Sequence, residues 1–561
     1  MRIPSNPDQR EDFYLELMQK CLVSKEERRG DYSTLRAYYL FGAGPEDPPA
    51  YFNKIGPHLD QLTSFLYSAE TTRFSIQLGA AVNHLEHRKS PTLTQALNDK
   101  WLDSNADQVF SQCLNWSLVY NTTFIKLVVR NGNVYPYMVE PSAIGVLRED
   151  LAYTDRQEAI VHTYYVTKSD LYARLYSHPK RESIVSRVTS GYKGDESEVP
   201  EAVNRIVLSQ SNPQMYGNVN MDLYGVNRYK SRVAEDTVEM HELWVWDDEI
   251  QDYQVVTIAS PTVIIYDRPA QSMFLKGELP FVQVCPDPIY DYYWGQSECQ
   301  KLIMLQQLRN QRMNEILDLL SKQVNPPTSL IGFTGILDEK NFALNRAGGL
   351  LSTDMPNAKV EKLSPDMPSN LFEVIHEIDN MFSEVSGISN VLSGRGESGV
   401  RSQGHASQLA RLGSSRAKKR ALIVEDSLEK VATLYLRLMQ AYDPSHFHDI
   451  ENQPFIAEQF TKDYVVKVDA HSNSPIFTED QRSLAFNMFK AGAIDKESLI
   501  DLLDPPMKQL LKDRLKKMPQ DQGKPPGKAP APQGKKTPEV GWWLLKELHQ
   551  RLTSQEFPLR S

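Results

Sequence analysis

The chain has 561 residues, 40% of them apolar and 24% charged, which is enough apolar material for sizeable cores in several domains or layers. Its 62 basic residues stand against 72 acidic ones, a net charge of −10, and this excludes a protein that grips nucleic acid by bulk positive charge. No run approaches the ~18 apolar residues of a membrane span, no signal peptide is expected after Met1, and the scattered Cys21, Cys113, Cys285 and Cys299 offer neither a disulfide framework nor a zinc site.

Residues 8–90 are expected to be mainly helical. Leu15, Leu17, Met18 and Leu22 form one apolar stripe, and Leu59, Leu62, Phe65 and Leu66 form another beyond a proline-rich loop. A third helix is predicted from Thr92 to Val119, with Trp101, Val109, Cys113 and Trp116 at helical spacing. It leads into the β-rich run Thr123–Arg130. Asn131-Gly132 then marks a hairpin to Val134–Val139, and Pro136 places that strand at an edge or a bulge. The pattern weakens over 180–235, which is expected to be irregular. Strands return at Val238–Trp246, Tyr253–Ala259 and Thr262–Tyr266 as a small antiparallel sheet.

Ser297 and Gln300 have the spacing of a capping box. They open a helix over 297–323 that carries Leu302, Leu305, Leu308, Met313, Ile316 and Leu320 and stops before Pro326-Pro327. A compact insert broken by glycine and proline occupies 324–366. A second helix over 367–387 carries Leu371, Ile375, Ile378, Phe382 and Val385 in strict 4-3-4-3 spacing and ends at Gly387. The two helices are expected to run antiparallel with the insert at their tip.

A polar, glycine-dense loop follows over 388–402, with Asn390, Ser393, Arg395, Glu397, Ser398 and Arg401. A long helix is predicted over 403–442. Its narrow seam of Ala417, Ala421, Val424, Leu428 and Val431 requires a neighbouring subunit or domain along its length, and Arg416, Lys418, Lys419 and Arg420 mark the opposite face. Residues 443–515 are expected to hold a strand at Tyr464–Val468 and helices near Asp480–Ala491 and Lys496–Leu503. Residues 516–541, rich in Lys, Pro, Gly and Gln, form a linker that is expected to be disordered. The final stretch, 542–561, is a short amphipathic helix with Trp542, Leu545, Leu548 and Leu552 on one face.

Catalytic chemistry does not assemble. Gly394-Arg395-Gly396-Glu397-Ser398-Gly399 fits G-x-G-x-x-G, but a helix precedes it and no βαβ unit surrounds it. Gly534-Lys535-Lys536-Thr537 lacks the strand of a phosphate-binding loop. The pairs His84/His87 and His446/His448 have no further ligand nearby. Asp287 and Asp291 lie among Tyr290, Tyr292, Tyr293 and Trp294, where a packed corner ahead of a helix accounts for them better than glycoside chemistry. No catalytic, cofactor-binding or metal-binding set is expected.

The run Leu279-Pro280-Phe281, then Tyr292-Tyr293-Trp294-Gly295-Gln296-Ser297 and Gln306-Gln307-Leu308-Arg309-Asn310, resembles the start of the stem in tailed-bacteriophage portal proteins, the head-to-tail connectors. The order helix, small insert, helix, glycine-rich loop, long helix resembles the stem, clip, tunnel loop and spanning helix of that family. Ser474-Pro475-Ile476-Phe477-Thr478-Glu479-Asp480 and Gly492-Ala493-Ile494-Asp495 are similar to crown segments. The resemblance covers about 90–515. It implies an α+β, mainly helical subunit with a wing (1–296), stem helices (297–323 and 367–387), a small α/β clip (324–366), a tunnel loop (388–402), a spanning helix (403–442) and a crown (443–515). It also implies no enzyme activity and no cofactor.

The resemblance further implies a homo-oligomeric ring, usually of twelve copies, at one capsid vertex of the virion, assembled in the host cytoplasm and without a membrane. Double-stranded DNA passes through such a channel. The terminase large subunit and then a head–tail adaptor protein dock on it, and the major capsid protein and a scaffolding protein are further partners. Twelve copies of a −10 chain total about −120 charges, which suits passage of DNA better than static gripping. The residues alone leave open two other readings: a hydrolase or nucleotide-using enzyme with an unrecognised site in 120–300, and a cytoplasmic helical scaffold.

Overall fold

The computed structural model describes residues 1–44, 52–69, 72–188, 237–259, 262–324, 326, 328–331, 357, 359–362, 370–386, 415–468, 485–503 and 515. The chain divides into two compact units, Met1–Ser483 and Leu484–Ser561. The first is α+β and mainly helical.

Helix α1, Pro7–Phe41, begins where the Asn6 side chain accepts from the Asp8 N–H at 3.2 Å, with proline at its first position. It ends at Gly42, whose left-handed φ of 69° lets its N–H reach Tyr38 O. Helix α2, Ile55–Leu66, buries Ile55, Leu59, Leu62 and Leu66 on one stripe. Strand β1, Phe74–Leu78, follows in a region expected to be helical. The single helix predicted over Thr92–Val119 is two, α3 (His84–Asp103) and α4 (Ala106–Tyr120). Asn105 breaks it at φ 54°, a conformation that asparagine tolerates. The break is fixed by Asp107, which accepts from Trp101 Nε1 at 2.7 Å and Tyr67 OH at 2.9 Å.

Strands β2 (Thr123–Arg130) and β3 (Asn133–Val139) form the expected hairpin, with Phe124 opposite Val139. Pro136 sits on the edge strand of the order β3-β2-β9, where its missing N–H costs no ladder bond. Strands β4 (Ile144–Val146), β5 (Ala159–Thr167), β6 (Thr237–Asp247), β7 (Asp252–Ala259) and β8 (Val263–Pro269) form an antiparallel five-stranded sheet in sequence order. The last strand runs further than predicted. Helices α5 (Lys168–Arg174) and α6 (Arg181–Arg187) precede β6, so the start of the stretch expected to be irregular is helical. Residues 189–236 lie outside the described ones.

After β9 (Phe281–Val284), helix α7 spans Glu298–Val324. Strands β10 (Thr328–Ile331) and β11 (Lys359–Lys362) pair antiparallel, and helix α8 spans Leu371–Ser386. Arg309 Nε meets Asp379 Oδ1 at 2.9 Å. Leu302 on α7 and Ile378 and Phe382 on α8 share the main core cluster, whereas Ile316 and Ile375, nearer the strand pair, are buried outside it. The two helices therefore run in opposite directions, with the strand pair at their far end.

Helix α9 is described over Ser415–Tyr442, and the predicted turns at 403–414 lie outside the described residues. Strands β12 (His446–His448) and β13 (Pro454–Ile456) pair with each other. Strand β14 (Tyr464–Val468) pairs with β1, Phe74 opposite Val468. Residues 443–468 thus belong with the first unit and not with 484–515, because the apolar face of Val466 and Val468 is completed by Phe74 and Ile76. The second unit holds a helical turn over 485–490 and helix α10, Lys496–Leu503.

Candidate functional site

The approach to α7 is an aromatic corner. Tyr293 and Trp294 are fully buried. The Arg28 guanidinium lies over the Trp294 ring, 3.8 Å from its centre, and pairs with Glu149, which also accepts from Trp294 Nε1 at 2.8 Å. Gly295 takes φ +68°, and a Cβ there would stand 2.4 Å from Cys285 Sγ and 2.9 Å from Asp287 O. This position requires glycine on two independent counts. Asp287 ion-pairs with Lys301, so this carboxylate braces a corner rather than facing a substrate.

The root of α7 is a buried charge joint. Ser297 Oγ accepts from the Gln300 N–H at 3.0 Å and donates to Val119 O at 2.7 Å, tying the helix start to the end of α4. Glu298, only 2% exposed, meets Arg420 Nη2 of α9 at 2.7 Å and Lys301 Nζ at 3.3 Å. Arg420 Nη2 also lies 3.6 Å from Asp287 Oδ2. His58 of α2 lies in the same field: burial pushes its pKa below the usual value, Glu298 pulls it up and Arg420 presses it down again. Arg420 was expected on the face of the long helix opposite its apolar seam. It turns into this joint because two carboxylates there need a cation.

A second polar layer lies two turns further along α7. Gln306 donates to Phe52 O at 3.0 Å and to Asn310 Oδ1 at 2.8 Å, and its Oε1 accepts from the Lys54 N–H at 3.1 Å. Asn310 donates to Gly42 O at 2.8 Å, satisfying a carbonyl at the end of α1. Asp379 of α8 takes both Arg309 and Lys54, the latter at 3.1 Å. The Gln306–Asn310 run quoted for the family resemblance is therefore the row of polar side chains that fastens this helix to the body of the chain.

Helix α9 is buried by its own chain. Ala421, Val424, Leu428 and Val431 are fully buried and Ala417 nearly so, against α2, β2, β3, β9 and β14. The seam expected to need a neighbouring subunit or domain is covered by other elements of its own chain, which corrects its assignment as an oligomer seam: the strands supply the apolar wall that a narrow stripe requires. Tyr435 OH reaches Lys100 O at 3.1 Å and Val134 O at 3.2 Å from the same helix. An open cleft of about 950 Å³ runs beside α9, lined in part by Tyr153, Leu422, Lys430, Arg437 and Val465. Its bases are each paired to a carboxylate: Lys430 to Asp426 at 2.8 Å, Lys467 to Glu429 at 2.6 Å, and Arg437 to Glu278.

Within 120–300, the charged cluster between the two larger sheets is Lys126, Glu242 and His162. Lys126 Nζ lies 2.9 Å from Glu242 Oε1 and 3.2 Å from His162 Nδ1. His162 is held well below its usual pKa by burial first, then by Lys126 and Lys25. Burial pushes the thiols of Cys21, Cys113 and Cys285 up to about 12 and that of Cys299 higher, the opposite of an activated nucleophile. His84, His87, His446 and His448 are all exposed, and among the described residues no His, Cys, Asp and Glu side chains cluster to hold a metal ion. No helix among them is long and apolar enough to cross a membrane.

The loop residues Asn390, Ser393, Arg395, Glu397, Ser398 and Arg401, and the tail residues Trp542, Leu545, Leu548 and Leu552, lie outside the described residues. Glu298, Arg420, His58 and Asp379 were not anticipated as a set. Nothing local marks them, since each partner lies on a different element. Gln306, Arg309 and Asn310 do leave a trace, as polar residues at helical spacing on the same side as Leu302 and Ile316.

The model of one family, the phage SU10 portal protein, matches residues 73–470. The chain belongs to this portal family. The match spans both sheets, the hairpin of α7 and α8, and helix α9. Among solved structures, the virion of a native gene transfer agent particle is 11% identical with a TM-score of 0.37, over 85% of this chain and 94% of that one. The neck of an empty gene transfer agent particle, computed with C6 symmetry, is also 11% identical with a TM-score of 0.37, over 81% and 90%. At these values the likeness locates no site and no partner. No curated protein matches the chain. As a portal protein, it is a structural component of the phage particle and its family is not an enzyme family.

Proposed function

We propose that copies of this chain, twelve in the resemblance, close into a ring at one capsid vertex, through which double-stranded DNA is packaged and later ejected. The family match over 73–470 carries this reading. In it, α7 and α8 form the stem, the β10–β11 insert is the clip on which the terminase large subunit and then a head–tail adaptor dock, and α9 is the spanning helix. Residues 388–402 line the pore as a tunnel loop. Arg395 and Arg401 brush phosphates there without holding them, an interaction that salt weakens. The tail helix with Trp542, Leu545, Leu548 and Leu552 docks on the ring or on a capsid-side partner, as exposed apolar stripes do.

The test begins with negative-stain images and mass photometry of the purified chain, where a closed ring with a central hole is expected and a monomer-to-tetramer species overturns the reading. Arg395→Ala with Arg401→Ala should leave the ring intact while lowering packaging or retention of DNA. Normal packaging and retention remove the arginines from the mechanism. Deleting 540–561 should impair procapsid incorporation, and unchanged incorporation removes the tail's role.

A further inference from the structure

We propose that the α7–α8 hairpin carries a specific contact between neighbouring copies: the ridge Met304–Leu308–Arg312 of one copy packs against the ridge Val385–Met381–Glu377 of the next. This rests on the ring reading above and names the surface by which the ring closes.

Both ridges face outward. Met304 is 77% exposed and Leu308 36% on α7, and Met381 is 38% and Val385 39% exposed on α8. Each set is spaced four residues apart, so each forms one continuous ridge on its helix. Leu302 and Ile316 on α7 and Ile375, Ile378 and Phe382 on α8 are buried within the chain, whereas Val324 at the end of α7 and Phe372 and Val374 at the start of α8 are also exposed, at 76%, 59% and 40%.

Register argues for a second copy as the occupant. The Arg309–Asp379 contact levels those two positions, and the helices run oppositely, so one step up α7 is one step down α8. Met304 is then one residue from the level of Val385, Leu308 from that of Met381, and Arg312 from that of Glu377, offsets of roughly 1.5 Å each. Rotation about a ring axis running along the hairpin carries each level onto the same level of the neighbour. The order apolar, apolar, cation on one ridge therefore meets apolar, apolar, anion on the other.

The charges fit the same assignment. Helix α8 carries Glu373, Glu377, Asp379 and Glu384 and no Lys or Arg. Asp379 is taken by Arg309 and Lys54, while Glu377 is exposed and makes no ion pair among the described residues. Arg312 pairs with Glu315 one turn along its own helix at 2.7 Å, both about 43% exposed, a pairing weak enough to exchange. Because the two ridges differ, the contact is heterologous, the kind that closes rings.

The test uses the full chain. Leu308→Cys combined with Met381→Cys, oxidised after assembly, should give a ladder of covalent oligomers on a non-reducing gel that ends at the ring number. The single variants, and Leu308→Cys with the level-mismatched Val374→Cys, should run as monomers. Glu377→Arg and Arg312→Glu should each lower the ring fraction at low micromolar concentration by about tenfold, and the double swap should recover it. A monomer band without a ladder, together with full rings in both single swaps, overturns the contact and leaves the ring reading standing. Wild-type protein that never forms a ring overturns both.

Discussion

Toward the body of the chain, α7 buries Glu298, Gln306, Arg309 and Asn310; away from it, the same helix exposes Met304 at 77% and Leu308 at 36%. A helix on a globular surface normally has the reverse pattern. The buried side is tolerable because Gln306, Arg309 and Asn310 bond to α1, α8 and the segment before α2, and Glu298 bonds to Arg420 of α9. Desolvation is thus largely offset by charge-assisted hydrogen bonds, with Glu298 Oε1 and Arg420 Nη1 left buried without a hydrogen-bond partner among the described residues. The exposed side has no such compensation within the chain. The difference teaches that buried polar residues, together with Leu302 and Ile316, fix this helix to its own subunit, while Met304 and Leu308 are left on the exposed side.

The comparison breaks most severely at Glu298. Glu298→Ala leaves Arg420 buried without its main carboxylate, and a loss of about 3 kcal/mol in urea unfolding is expected. A loss below about 1 kcal/mol would show that Asp287 alone suffices as the partner. Asn310→Ala removes two bonds, to Gly42 O and from Gln306, and should cost about 1–2 kcal/mol in the same measurement.

Acid should weaken the body of the chain through its buried imidazoles. His58 and His162 have folded pKa values below the usual 6.5, so the unfolded chain takes up their protons first. Their contribution is therefore complete above the unfolded value and is lost as pH falls from about 6.5 toward the lower folded values. The melting temperature should fall between pH 7 and 5, and His162→Asn should flatten that slope. An unchanged slope assigns the acid sensitivity elsewhere. Carboxylates such as Asp449, held below the usual 3.8 chiefly by the Gln453 backbone N–H, act only at lower pH.

The smallest expected effect sharpens the other half of the comparison. Met304→Gln should change chain stability by less than about 0.5 kcal/mol, as exposed positions do. A loss above 1 kcal/mol would mean that the chain itself covers this side chain.

Much of the fold was legible because it is local. Asn131-Gly132 specified the β2–β3 hairpin, and the 4-3-4-3 stripe of α8 and the stop before Pro326 delimited the two hairpin helices. Asn105 was not legible as a break, since the apolar spacing of Trp101 and Cys113 continues across it. Only the meeting of Trp101, Tyr67 and Asp107 shows why the chain turns there.

The sequence by itself determined which faces of α2, α8 and α9 are apolar, the edge position of Pro136, and the absence of any local motif for catalysis. These follow from side-chain periodicity and backbone chemistry within a few residues. Tertiary structure decided that β14 joins β1 and that Arg420 turns inward to Glu298. It also decided that the α9 seam is covered by the chain's own strands. Each of these depends on a partner distant in sequence: periodicity states that a face must be covered or a charge matched, and only the packed chain supplies what does so.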